Sequence, residues 1–262
     1  MRGALSLIGL QLRLSLARSA QYRWDFVTSG LMTLVWTAIG VIPVFVALHG
    51  RPSVAGWSYE AALVVVGWFT LLKGVLEGAV NPSLVAVVEH IRQGTLDFVL
   101  LKPRDAQLLV STSRFEPWRI VDVVAGLALV VWALHALGRV PSPGGVALAL
   151  TLLGAAVVVL YALWILVVSA AFWVVRLDNL AYLFNALFDF ARWPIDVFRG
   201  LVALLFTYVL PLALMTTYPV RALLGTLEPR VAVAALAGAL VFALVARRTF
   251  QAALARYTSA SS

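Results

Sequence analysis

Residues 146–175 read VALALTLLGAAVVVLYALWILVVSAAFWVV, without one charged side chain. A helix rises about 1.5 Å per residue, so this run reaches about 45 Å, well past the ~30 Å hydrocarbon core of a bilayer. The apolar residues are continuous and do not alternate. In lipid, backbone groups must be satisfied within their own segment, so the run predicts a helix rather than a barrel strand. Pro141, Pro143, Gly144 and Gly145 precede it, and Arg176-Leu177-Asp178-Asn179 follows as a tight polar turn. It reads as one long, tilted membrane crossing.

Outward from it, runs of the same kind cover about Asp25 to Leu48, Ala61 to Val80, Ile120 to Leu137, and Val231 to Ala246, the last closed by Arg247 and Arg248. Asn81-Pro82-Ser83 predicts a fresh helix after the second crossing, with Asn81 as cap and Pro82 at its first position, and Gly94 as its stop. Between residues 180 and 230 the chain must cross a net odd number of times. It has two short apolar segments, 180–193 and 201–217, broken by Pro194, Pro211, Pro219 and Pro229. The favoured reading is a short fifth crossing over 180–193, then a re-entrant hairpin within 194–230; the reverse assignment stays open. Residues 1–24 place Leu5, Ile8, Leu12 and Leu16 on one helical ridge and Leu7, Leu10 and Leu14 on the opposite side, with arginines between. That pattern predicts a helix lying in the membrane interface.

Composition agrees. Of 262 residues, 62% are hydrophobic and 12% charged, and the mean hydropathy is +0.96. That suits a single membrane domain, 1–262, with no second soluble one. The net charge of +8 is not a nucleic-acid signal, because the basic residues gather at helix ends. Arg2, Arg13, Arg18, Arg23, Arg92, Lys102, Arg104, Arg114, Arg119, Arg176, Arg247, Arg248 and Arg256 fall on one side of the predicted topology, against Arg51, Arg139, Arg192, Arg199, Arg221 and Arg230 on the other. The positive-inside rule makes that side cytoplasmic, with both termini there.

Catalytic patterns are missing. His49, His90 and His135 are scattered, no His-Glu-x-x-His or Gly-x-Ser-x-Gly motif occurs, there is no cysteine, and no glycine-rich loop ends in Gly-Lys-Ser/Thr. The chain therefore reads as neither a metal site nor a nucleotide-hydrolysing enzyme of that type. Charges inside crossings need a reason, since each costs about 2.5–3.5 kcal/mol at a helix centre. Lys73 and Glu77, four apart, are expected to pair with each other, and Asp189 with Arg192. A place in a substrate path is the alternative, and Phe184, Phe188 and Phe206 are aromatic candidates for the same wall or for a subunit interface. The segment 81–119 has both signs of charge together with apolar surface. It reads either as a docking element for a soluble partner or as an amphipathic loop on headgroups.

Within that segment, Glu89-His90-Ile91-Arg92-Gln93-Gly94-Thr95-Leu96-Asp97-Phe98-Val99-Leu100-Leu101-Lys102-Pro103 resembles the cytoplasmic segment of bacterial type-2 ATP-binding-cassette exporter permeases. Arg192-Trp193-Pro194-Ile195-Asp196 and the stretch from Pro211 through Tyr218-Pro219 to Leu224-Gly225 agree more loosely. The resemblance implies an all-α protein of six transmembrane helices, with an amphipathic N-terminal helix, a cytoplasmic coupling helix after the second crossing and a re-entrant hairpin before the last. It also implies two ATPase subunits as partners, which would hold ATP and Mg, and a second permease subunit, identical or homologous. Pro82, Val85, Glu89, Arg92, Gly94, Asp97 and Lys102 would then couple to the ATPase. The expected function is export of a hydrophobic or amphipathic compound across the bacterial cytoplasmic membrane. A secondary carrier or channel is the competing reading; the scarcity of membrane acids counts against it.

Overall fold

The structure, a computed structural model, describes residues 9–17, 23–93, 95, 101, 105–170 and 185–255. Those residues are helical throughout, apart from turns and one isolated bridge between Val54 and Trp57. The long elements are α1 (9–17), α2 (Arg23–Leu48), α3 (Tyr59–Val75), α4 (Asn81–Arg92), the short α5 (Ala106–Ser111), α6 (Ile120–Ala136) and α7 (Pro143–Ala170). After Asn185 come two 3₁₀ turns, then α8 (Gly200–Leu204), α9 (Tyr218–Leu223) and α10 (Pro229–Ala255). Among the described residues five helical stretches are long and apolar enough to cross a membrane, and a bent pair, 200–209 with 213–223, makes a sixth if counted as one span. The protein is a multi-pass membrane protein.

The centre of the bundle is α3. Every residue from Ala61 to Leu72 is buried, so this helix is apolar on all faces and enclosed on all faces. Against it α6 packs at backbone distance. A Cβ on Gly67 would stand 2.9 Å from both the Gly126 carbonyl oxygen and the Val130 nitrogen; one on Gly74 would stand 2.8 Å from the Val123 nitrogen. Small residues allow this because helices in lipid associate through close packing rather than through expulsion of water. α7 covers another side of α3 and in turn carries α10, with Trp164, Leu160 and Ile165 fully buried.

Two differences from the sequence expectation concern helix ends. No break separates the second crossing from α4: a π turn over Leu76–Val80 joins them, and Asn81 lies inside the helix with no capping role. Pro82 sits second in α4 and has no N–H for the carbonyl one turn back, that of Gly78. The Glu116 N–H takes that oxygen instead, at 2.9 Å. The proline thus loosens one turn without stopping the helix. At the other end, α10 continues beyond Arg247 and Arg248 to Ala255, because Phe250 and Ala253 turn inward and Arg247 reaches Asp105 at 3.6 Å.

The bundle has two ends. One holds α4, α5 and the last turns of α10. The other holds the 49–58 and 137–142 connections. There Asp196 accepts from Trp57 Nε1 at 2.9 Å and from Arg221 at 2.8 Å, and a Cβ on Gly145 would meet the Ala222 carbonyl at 2.6 Å. The bent pair starts four residues after Asp196 and has Arg221 in its last turn. Its halves diverge by 69° at Leu210-Pro211, and its two ends are tied together by that ion pair. The expected fifth crossing, 180–193, falls partly outside the described residues, as do most of the interfacial helix 1–24 and the turn at 176–179. Of that interfacial helix, 9–17 is helical, with Leu10, Leu12, Leu14 and Leu16 exposed and Ser15 buried; the Ser15 hydroxyl accepts from Phe115 N–H.

Candidate functional site

Two cavities run through the half of the bundle nearest α4. The first, about 620 Å³, lies between α4, α7 and residues 114–116. Its walls include Glu77, Asn81, Pro82, Glu89, Arg114 and Trp164. The second, a groove of about 670 Å³, opens between α2, α3 and residues 185–192, with Thr33, Phe69, Lys73, Asp122, Asp189 and Arg192 on its walls. Glu77 and Asn185 line both, so the two share a wall there.

The α4 wall follows from an amphipathic pattern: Leu84 and Val87 are buried, while Val85 is exposed. Local bonds hold the facing loop. Ser83 Oγ donates to the Arg114 carbonyl at 2.7 Å and accepts the Arg114 N–H at 2.9 Å, and Asn81 Nδ2 donates to Glu77 Oε1 at 2.9 Å. Behind α4, Asp105 caps α5 by accepting from Leu108 N–H, and Gln107 and Ser111 both meet the Tyr161 hydroxyl of α7. Burial pushes the Glu116 carboxyl above its ordinary value; Arg119 opposes the shift, Glu77 adds to it, and Arg114 opposes it. A folded state that holds its proton more tightly is favoured at low pH, and the advantage is lost as pH rises from 4.5 through the raised value. Replacing Glu116 with Gln should flatten the decline in melting temperature over that window, as thermal unfolding across pH would register.

In the groove, pairing differs from the sequence expectation. Lys73 meets Asp189 at 3.5 Å, not Glu77, and Asp189 also takes Arg192 at 3.0 Å. The i,i+4 relation put Lys73 and Glu77 on one face, but residues 185–192 pack beside α3 and supply a nearer acid, while Glu77 turns to Asn81. Both cations lie over the Phe69 ring, at 5.9 and 5.4 Å. Lys73 is fourteen residues into α3, about 21 Å along it, so this cluster sits inside the span. Deeper toward α4, Asp122 is buried, accepting from Thr33 Oγ1 at 2.6 Å and pairing with Arg119 at 3.3 Å.

Of the residues singled out from sequence, Pro82, Val85 and Glu89 line the first cavity, Lys73 and Asp189 the groove, and Glu77 both. Phe188 is buried against Phe69, ring centroids 5.1 Å apart, and Phe206 stacks with Phe190 and Phe198 on the bent pair; neither lines the groove. Arg92 ends α4. Gly94, Asp97, Lys102 and Phe184 lie outside the described residues. Sequence reasoning missed Asp122, Thr33 and Asn185. Asp122 had a usable signal, an acid two residues inside an apolar run and three after an arginine.

The geometry is thus a helical membrane bundle with two neighbouring cavities, one beside α4 and one between α2 and α3, that share a wall at Glu77 and Asn185. A family model described as ABC-2 family transporter protein matches residues 34–261. The chain belongs to the ABC-2 transporter family. It is a membrane transport component of the permease type and not itself the catalytic ATPase; membership implies association with ATP-binding-cassette ATPases. No curated protein and no solved structure matches this permease.

Proposed function

We propose that this permease is the transmembrane subunit of an exporter, paired with a second permease subunit, identical or homologous, and resting on two ATPase subunits that bind ATP and Mg. The observation that carries the reading is the wall at Glu77 and Asn185 that the cavity under α4 has in common with the groove within the span. On this reading α4 is the coupling helix, with Val85 and Glu89 toward the ATPase, and Arg92, Gly94, Asp97 and Lys102 are assigned to the same coupling role from the sequence resemblance alone. The excess of arginine and lysine at this end supports a bacterial cytoplasmic membrane location with both termini and residues 81–119 in the cytoplasm. The Asp196–Arg221 tie supports a re-entrant element within 194–230, since it holds both ends of the bent pair together; 180–193 is then the fifth of six crossings. Exposed leucines on 9–17 support an interfacial helix.

Closure of the ATPases on ATP would shift α4, and the joined α3–α4 helix carries that shift to the groove wall at Glu77 and Lys73. A two-state lever of this kind needs contacts that differ between its states. The substrate is a hydrophobic or amphipathic compound. The test is co-purification from the native host, followed by ATP hydrolysis and uptake of an amphipathic dye into inverted vesicles. The wild-type chain should bring down an ATPase. Glu89→Lys should leave hydrolysis within about twofold and cut dye uptake about tenfold or more, roughly 1.4 kcal/mol of coupling. Absence of any ATPase, or unchanged uptake in the variant, would refute the reading.

A further inference from the structure

A ring of three hydrogen bonds joins α5 to α7. The helix α5 packs on α4, with Leu109 and Val110 buried, and turns Gln107 and Ser111 to Tyr161 of α7. Gln107 Nε2 donates to the Tyr161 hydroxyl at 2.9 Å, and Ser111 Oγ donates to the Gln107 carbonyl at 2.6 Å. A hydroxyl has one proton. That of Ser111 is spent on the carbonyl, so its 2.7 Å contact with Tyr161 has the phenol as donor. Tyr161 therefore both accepts from α5 and donates to it. The nearby Asp105–Arg247 pair is 3.6 Å long and 49% and 54% exposed, and a pair of that kind contributes little. On its other side the segment is tied to α4, by the two Ser83–Arg114 bonds and by the Glu116 N–H on the Gly78 carbonyl. The helices α4 and α5 and residues 114–116 thus form one unit, and Tyr161 is its polar hold on α7.

The place of Tyr161 on α7 gives that hold a consequence. Trp164 follows three residues later, on the same helix face, and lines the cavity whose other wall carries Pro82, Val85 and Glu89 of α4. Across that space of about 620 Å³ α4 does not press on α7, whereas α5 bridges around it. We propose that Tyr161 is a positioning residue of transport: its hydroxyl makes α7 follow the segment 81–119, so that a displacement of α4 carries the Trp164 wall along with the Glu77 wall. This deepens the exporter reading and rests on it for the displacement. Without the phenol oxygen the α3–α4 rod still moves Glu77, but α7 and Trp164 lag behind. ATP is then hydrolysed while the cavity changes shape out of step, so the loss falls on transport per ATP rather than on stability.

Two measurements test it. The first is hydrogen exchange of residues 106–111, read by mass spectrometry on the purified full-length chain in detergent. A hydrogen bond between helices of a membrane protein averages ~0.6 kcal/mol, about threefold. Tyr161→Phe removes two such bonds and should speed exchange about eightfold; Ser111→Ala removes one and should speed it about threefold. Thr151→Val is the control, since that α7 hydroxyl bonds back to Ala147 of its own helix, and it should change nothing. The second measurement takes the complex with its co-purified ATPase in inverted vesicles and counts rhodamine 6G taken up per ATP hydrolysed. That ratio should fall by about the same two factors, with ATPase binding and hydrolysis unchanged. If Tyr161→Phe fails to fold, Ser111→Ala decides on both readouts. Unchanged exchange in the variants would overturn the proposal, because the phenol would then not hold α5. Faster exchange with an unaltered ratio would overturn it too, because the ring would then serve the fold alone. Should no ATPase co-purify, or the wild type move no dye, the exporter reading falls and takes this proposal with it; the exchange measurement distinguishes that case from failure of the tie.

Discussion

Gly126→Leu should abolish the folded bundle. A side chain there points into the backbone of α3, at the Leu71 nitrogen and at the Gly67 carbonyl oxygen, which even a single Cβ would approach to 2.6 Å. Backbone cannot swing aside as a rotamer does, so relief requires α3 and α6 to separate along their whole crossing. Overpacking a yielding core costs about 1–3 kcal/mol; a rigid site such as this one lies at or above the top of that range. The loss would propagate because α3 is the helix on which α6, α7 and the residues around Asp189 all pack. The expected result is aggregated or protease-sensitive protein after detergent extraction. Gly238→Leu on α10 is the matched control, since nothing stands within 4 Å of the added Cβ, and it should melt like the wild type. If Gly126→Leu gave a monodisperse protein with an unchanged melting temperature, the backbone-distance crossing would be wrong.

Asp122→Ala should be the most destabilising change of a single polar group, by about 3 kcal/mol, the lower edge of what breaking a buried ion pair costs. The acid is buried, and its removal strands two partners unequally. Thr33 loses a hydrogen bond that, between membrane helices, averages only ~0.6 kcal/mol. Arg119 loses its nearer carboxylate and keeps Glu116 at 3.9 Å, which holds the cost near that lower edge. The ion pair therefore outweighs the hydroxyl. Thr33→Val should cost less than about 1 kcal/mol and Asp122→Asn an intermediate amount. Unfolding in mixed detergents would rank the three. Equal effects for Thr33→Val and Asp122→Ala would mean that the hydroxyl, not the arginine, dominates.

The crossings were legible from sequence because lipid imposes a length: the limits expected for α2 and α6 agree with those observed to within two residues. The break within 201–217 was legible too, through Pro211. Errors arose where tertiary partners outvoted local spacing. Pro82 reads as a restart, yet the Glu116 N–H repairs the missing bond from more than thirty residues away. Lys73 and Glu77 read as a couple, yet Lys73 is claimed by the distant Asp189, and Glu77 turns to Asn81, its i,i+4 neighbour on the other side. The charge on 81–119 marked a segment that walls the first cavity. The cavity it walls was not legible, because Trp164 and Asn185 come from distant stretches whose polarity is unremarkable.

The π turn at Leu76–Val80 carries one residue more than an α turn would. Successive α-helical residues are about 100° apart around the axis, so that surplus residue advances the distal helix by roughly a quarter-revolution relative to the proximal one. The rod from Tyr59 to Ile91 is therefore keyed rather than uniform, its two lengths facing different compass bearings. Glu77 falls within the key itself, and so one carboxylate belongs to both chambers.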